Sequence, residues 1–309
     1  GGRLFTFLAD EGNQIIALCH KYIPTDAIWR KKMKEIIQVD VTSFDEIEKL
    51  YQYNIDAIIN LVSLNHYDSN GKADYVNRIN VTPTWNFLQA FAQRNLKKYI
   101  YLSTIHVYGN QLSGNISEEN SVNPTNAYGL THLLSEQICN YFSTTTNIDC
   151  YNIRFSNGFG APQFIENKCW DLVINNLCLN VYEKQILILK SDGTPVRDFI
   201  NIADLLVGIK LILKKGDKTF HAKATTINFS SAETISMLDA AMVVKEIYEK
   251  KYKRKAQLFI NGTQPIETYQ KMLHRNYQIG NSKFLHLLKE KKLHDIAYGV
   301  HEIFNFLDQ

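Results

Sequence analysis

The chain has 309 residues, enough for one large α/β domain or for a large and a small one. Its 45% hydrophobic and 21% charged residues are the balance of a globular chain, and a net charge of +3 is too small to point to nucleic acid or a membrane surface. Five cysteines (Cys19, Cys139, Cys150, Cys169, Cys178) without Cys-x-x-Cys spacing read as free thiols of a reducing compartment, the cytoplasm, and offer no metal site. No apolar run approaches the roughly 20 residues that span a bilayer.

In chain order, Leu4, Phe5 and Leu8 have helical spacing that Gly12 ends, and Ile15 to Leu18 reads as a strand. A second strand is expected at Glu35–Asp40. A helix follows from Ser43, with Glu46 three residues on in a capping-box pattern. Ile55 to Val62 reads as a strand, and Val81 to Ala92 as a helix with Trp85, Leu88 and Phe91 on one face. Tyr99–Leu102 and Asp149–Phe155 are further strands, separated by a helical pattern that opens at Tyr128. Strands alternating with helices predict an α/β fold with a doubly wound parallel sheet. The regularity fades after Gly160-Ala161-Pro162, and a helix over Ile200–Leu213 returns to the main domain. The expected division is residues 1–158 with 196–217 as the first domain and 159–195 with 218–309 as a smaller second one.

Two segments carry chemistry: Ser103-Thr104-Ile105-His106-Val107-Tyr108-Gly109 after a strand, and Tyr128-Gly129-Leu130-Thr131-His132 at a helix start. A hydroxyl at a strand end and a tyrosine at a helix start can converge at the carboxyl edge of an open α/β sheet. This pairing resembles the extended short-chain dehydrogenase/reductase family, the NAD-dependent epimerase/dehydratase group, whose nucleotide-sugar enzymes carry Ser/Thr…Tyr-x-x-x-Lys. The resemblance implies a Rossmann-type domain with a smaller C-terminal substrate domain, and redox chemistry on a nucleotide sugar as an epimerase or 4-ketoreductase. Thr104 would then bond the reacting oxygen and Tyr128 would move its proton. A phenol ordinarily ionises near pH 10, so Tyr128 needs a nearby positive charge. The family's lysine supplies it; here His132 stands at that i+4 position on the same helix face. An imidazole can bond a ribose hydroxyl but is charged only below about pH 6.5 unless shifted.

The same resemblance implies cofactor contacts at Gly1, His20, Lys21, Asp40, Val41, Leu61, Ser63, Asn80, Tyr128, His132 and Ser156. Gly1 falls where the last glycine of the dinucleotide-binding turn belongs, which puts the first strand and two earlier glycines before residue 1. His20-Lys21 replace the acid that would hold an NAD ribose, so NADP is favoured over NAD; a solvated Lys21 is the alternative. Asp40 reads equally as a turn aspartate, and Asn80 equally as a hydrogen-bonding brace. The resemblance gives substrate contacts to His106, Asn157 and Arg197, the last pairing with a diphosphate. His106 reads as well as a core histidine. Asp198 and Asp204, from Arg197-Asp198-Phe199 onward, read as structural, and Arg275 is a further arginine candidate. Ile105-His106 replace the Asp-Glu of the family's 4,6-dehydratases, which argues against dehydration. A homodimer is the association the family implies. The Lys-to-His change leaves a second reading open, a non-catalytic nucleotide-binding regulator or scaffold on the same fold.

Overall fold

Lys98–Thr104 forms a strand that pairs in parallel with Ala57–Asn60 on one side and with Asp149–Phe155 on the other. The computed structural model describes residues 1–110, 112–214, 224–266 and 277–309, and adds Ala224–Phe229 beside Asp149–Phe155 as the fourth strand. Tyr99, Ile100 and Tyr101 are fully buried, as an inner parallel strand requires. A separate parallel pair, Ile16–Cys19 with Glu35–Gln38, rests on the same apolar cluster, where Leu18 and Ile37 pack with Leu88, Phe91 and Tyr99.

The chain divides into two compact units. The first comprises Gly1–Gln111, Glu118–Phe155 and Ile209–Asn228 and carries these strands. The second comprises Leu112–Ser117, Ser156–Gly208 and Phe229–Gln309. In it, Val196–Asn201 lies between Asn157–Phe159 and Thr234–Ser236. The helices Val173–Lys184, Met237–Tyr252 and Ile296–Leu307 meet in its core through Leu177, Val181, Val244, Tyr248, Val300 and Phe304. The division differs from the expected one. Val196–Asn201 hydrogen-bonds within the second unit, so the return to the first begins at Ile209 rather than at 196.

Three local expectations also change. Ser43 does precede the helix Phe44–Glu48, but its side chain makes no capping bond, and Glu46 pairs with Lys49 instead of reaching back. The strand expected to Val62 ends at Asn60, whose side-chain Oδ1 accepts the Val62 N–H at 3.0 Å in place of a ladder partner. Trp85 is exposed, not in line with buried Leu88 and Phe91; it stacks on Tyr141 at 6.0 Å and donates to Gln89.

The helix Ala127–Thr145 is tied to the sheet by a buried ion pair. Glu136 accepts two bonds from Arg154 of the neighbouring strand, at 3.1 and 2.8 Å, and a third from Ser103 at 2.5 Å. The Arg154 guanidinium also lies 4.7 Å from the centre of the Tyr108 ring. Removing one partner strands the other charge away from water. Arg154→Met is expected to lower the unfolding free energy by about 3–5 kcal/mol, and the pair Glu136→Met/Arg154→Met by much less. Urea unfolding of the three proteins measures this, and equal losses would refute the pairing as the cause.

Candidate active site

Strand and helix periodicities bring the candidate residues together. Tyr99, Tyr101 and Ser103 alternate along Lys98–Thr104 and so share one face. His132 and Glu136 stand one turn apart on the helix that covers this face. The two rows meet where Tyr101 bonds His132 and Ser103 bonds Glu136.

Thr104 ends the strand and caps the short turn Ile105–Tyr108, its Oγ1 accepting the His106 N–H at 3.2 Å. That leaves the Thr104 hydroxyl proton available as a donor. Burial raises the Tyr128 phenol above its ordinary value, and the Thr104 hydroxyl pulls it back. Tyr128 is held there by its neighbours. Asn126 caps the helix by accepting the Gly129 N–H at 2.8 Å. A Cβ on Gly129 would lie 2.5 Å from the His106 carbonyl oxygen, so only glycine lets this helix press onto the turn that carries Thr104.

His132 lies one turn further, its ring 4.5 Å from that of Tyr128. Both ring nitrogens are engaged: Nδ1 with the Tyr101 hydroxyl at 2.8 Å and Nε2 with Ser63 Oγ at 3.1 Å. Ser63 already donates to the Leu64 carbonyl, so the partners imply a neutral ring that accepts from Tyr101 and donates to Ser63. Burial, with a smaller contribution from His106, depresses its pKa to about 3. His132 thus occupies the position of the family lysine without bringing its charge near neutral pH.

The remaining first-unit candidates gather in smaller groups. Gly1 precedes the helix Gly2–Asp10, which has no side-chain cap, and a Cβ there would approach Leu61 at 3.9 Å. Exposed Asp40 accepts both the N–H and the hydroxyl of Thr42, which with lesser help from the charges of His20 and Arg78 holds its carboxyl below the usual value. His20 and Lys21 are exposed just beyond the strand Ile16–Cys19. Val41 packs on the core, and its carbonyl accepts from Asn86 at 3.2 Å. Asn80 is spent on the protein: its Oδ1 takes the Leu64 N–H, and its Nδ2 donates to Thr131 and Ser69. His106 is half-buried and stacks on His66, 5.6 Å away.

In the second unit, Asn157 donates to the Asp198 carbonyl at 2.8 Å. Arg197 is exposed on its strand and donates to the Val196 carbonyl at 2.8 Å. Asp198 is fully buried, and burial pushes its carboxyl up to about 6 against hydrogen bonds from the Ser231 backbone N–H and hydroxyl. Asp204 accepts the backbone and ring N–H groups of His294, at 2.9 and 2.8 Å. Arg275 lies outside the described residues. Among the described residues no three metal-binding side chains gather, and no helix is long and apolar enough to cross a membrane.

Sequence reasoning passed over His66, Tyr101, Arg78 and the Glu136–Arg154 pair. Setting the alternate strand positions Tyr101 and Ser103 against the i, i+4 positions His132 and Glu136 would have signalled two of these contacts. Nothing local marks His66, an exposed loop histidine.

Residues 1–228 match the NAD dependent epimerase/dehydratase family, and the chain belongs to it. An uncharacterized UDP-glucose epimerase of Bacillus subtilis is 27% identical over 172 residues, 56% of this chain and 51% of that protein. A dTDP-glucose 4,6-dehydratase of Haemophilus influenzae is 25% identical over 193 residues, 58% of this chain and 55% of that protein. The chain spans about half the length of such curated relatives. A UDP-glucuronic acid 4-epimerase from Bacillus cereus, solved in complex with UDP-glucuronic acid and NAD, superposes with a TM-score of 0.77 at 24% identity, over 100% of this chain and 96% of that one. At that identity the likeness establishes the fold, a Rossmann-type α/β architecture.

Because the imidazole of His132 is depressed to about 3, the native state takes up no proton there between pH 6.5 and 3, whereas the unfolded chain does. This part of the stability is complete above pH 6.5 and is lost as pH falls through that window. Between pH 7 and 4 the wild type should lose about 3 kcal/mol more than His132→Gln, read by urea unfolding at each pH. Coincident losses would mean that the native ring is protonated.

Proposed function

We propose that this chain carries out NAD(P)-dependent redox chemistry on a nucleotide sugar, as an epimerase or a 4-ketoreductase. The observation that supports the reading is the placement of Thr104 at a strand end and of Tyr128 at a helix start, with the His106 ring of the turn that Thr104 caps 5.6 Å from the Tyr128 ring. In this reading the Thr104 hydroxyl bonds the sugar oxygen, and Tyr128 takes or returns its proton as that carbon becomes or ceases to be a carbonyl.

The residues fit a dinucleotide. The start of the helix Gly2–Asp10 presents a positive dipole end to a diphosphate. Asp40 presents an exposed carboxylate beside His20 and Arg78. When bound, the nicotinamide supplies the hydride acceptor or donor. The basic groups near Asp40 favour a 2′-phosphate and hence NADP, although the solved relative above holds NAD. In the second unit, Arg197 keeps an exposed guanidinium for a substrate diphosphate, Asn157 is the further substrate contact inferred, and Ser156 the inferred cofactor contact.

Dehydration is disfavoured because it requires a carboxyl pair to move water. Positions 105 and 106 hold a buried isoleucine and a half-buried histidine instead. A 4,6-dehydratase among the relatives makes the comparison direct: activity on dTDP-glucose without ketone accumulation supports this exclusion.

The neutral His132 is the one feature that favours a non-catalytic nucleotide binder. Tyr128→Phe separates the two readings. With UDP-glucose and related UDP-sugars, kcat is expected to fall at least about 100-fold while dinucleotide affinity holds. Mass spectrometry of the dinucleotide released on denaturation then sorts the enzymes: retained NAD marks an epimerase, and an empty protein that binds NADPH marks a ketoreductase. Tyr128→Phe at full activity would sink the enzyme reading.

A further inference from the structure

Three imidazoles surround the Tyr128 ring, and two of them have no part in the reading above. His66 and His106 lie with ring centres 5.6 Å apart and planes at 24°. Both stand edge to face with Tyr128, at 6.1 and 5.6 Å. The third, His132, is closest but buried between Tyr101 and Ser63. We propose that the stacked His66–His106 pair supplies the positive charge that stabilises the Tyr128 phenolate, the task left open by the absent lysine. This rests on Tyr128 being the acid/base of the proposed function.

The pair lies where one positive charge can stay in contact with water. His66 is exposed and His106 half-buried, so a proton on either stays hydrated, which the interior around His132 does not allow. Like charges in a stack repel, so the pair carries one proton, not two. The titratable groups described around His66 and His132 are themselves engaged. Tyr67 packs against His66, Asp68 is bonded to Asn65, and Tyr101 lies beyond His132. The Glu136 carboxylate acts on Tyr101 and is itself neutralised by Arg154. A charge on His106 also opposes protonation of His132.

A unit charge about 6 Å away at a partly wet site lowers a phenol pKa by up to about two pH units. Phenol and imidazole then titrate as one system. In such a coupled system, loss of the cation with rising pH opposes the gain in phenol ionisation, and the two trends offset each other. The phenolate fraction should therefore rise only a few-fold between pH 7 and 8, where an isolated phenol rises about tenfold.

The test places a fluorinated tyrosine, chosen so that its phenol ionises near neutral pH, at position 128 of the full-length protein and follows it by 19F NMR. His66→Gln and the double variant His66→Gln/His106→Gln are compared with the otherwise unchanged chain. The phenol pKa is expected to move up by about one to two pH units in the double variant and by less in the single one. An unmoved pKa overturns the proposal, whether or not the chain turns over a sugar. Should circular dichroism show the double variant unfolded, His66→Gln at its exposed position decides alone, and an unmoved value there is the overturning result. With unlabelled protein, NAD and UDP-glucose, kcat should rise a few-fold from pH 7 to 8 in the wild type and about tenfold in the double variant. A 19F shift without any turnover would leave the charge assignment standing and refute the proposed function instead.

Discussion

The buried Glu136–Arg154 pair is the contact on which the rest of the first unit depends. Its three hydrogen bonds join one helix to both central strands, because Ser103 and Arg154 face each other across the ladder of the two strands. A buried carboxylate is tolerated only when its oxygens are satisfied, and that requirement sets the helix register against the sheet. One turn before Glu136 the register brings His132 to Tyr101. A further turn back it brings Tyr128 to Thr104. The site geometry is thus a by-product of satisfying an internal charge, with Gly129 permitting the final close approach.

The lysine-to-histidine change alters the electrostatics more than the shape. A lysine would place a permanent cation in the interior, whereas the imidazole is neutral and bonded on both sides by hydroxyls. It therefore serves as a bridge between the central strand and the loop that follows Asn60. The same loop is fixed by Asn60 and Asn80, whose amides meet Val62 and Leu64. Two further imidazoles, His66 and His106, lie beside the phenol ring.

The second unit shows the same division between polar groups that build and polar groups left available. Asp198 and Asp204 are consumed by Ser231 and His294, and Asn157 gives its N–H to a carbonyl of the adjacent strand. Arg197, next to Asp198, points to the other side of its strand and stays exposed. Adjacent residues of one motif thus have opposite fates through the two-residue period of the strand.

The sequence by itself determined the order of the main strands and helices and the residues of the central strand, and it placed Thr104 at a strand end and Tyr128 at a helix start. These follow from short-range periodicity and from motifs whose members lie close in sequence. It also assigned Asp198 and Asp204 to structural roles, in keeping with the bonds they make. Only the tertiary structure decided that Asn80 braces a loop, that Trp85 faces solvent, and that Val196–Asn201 belongs to the second unit. It alone decided that His132 is neutral and that His66 lies beside Tyr128. The reason is physical: a pattern of residue types states which side chains share a face, but burial, charge state and the choice of partner depend on groups far apart in the chain, and those distances exist only once it has folded.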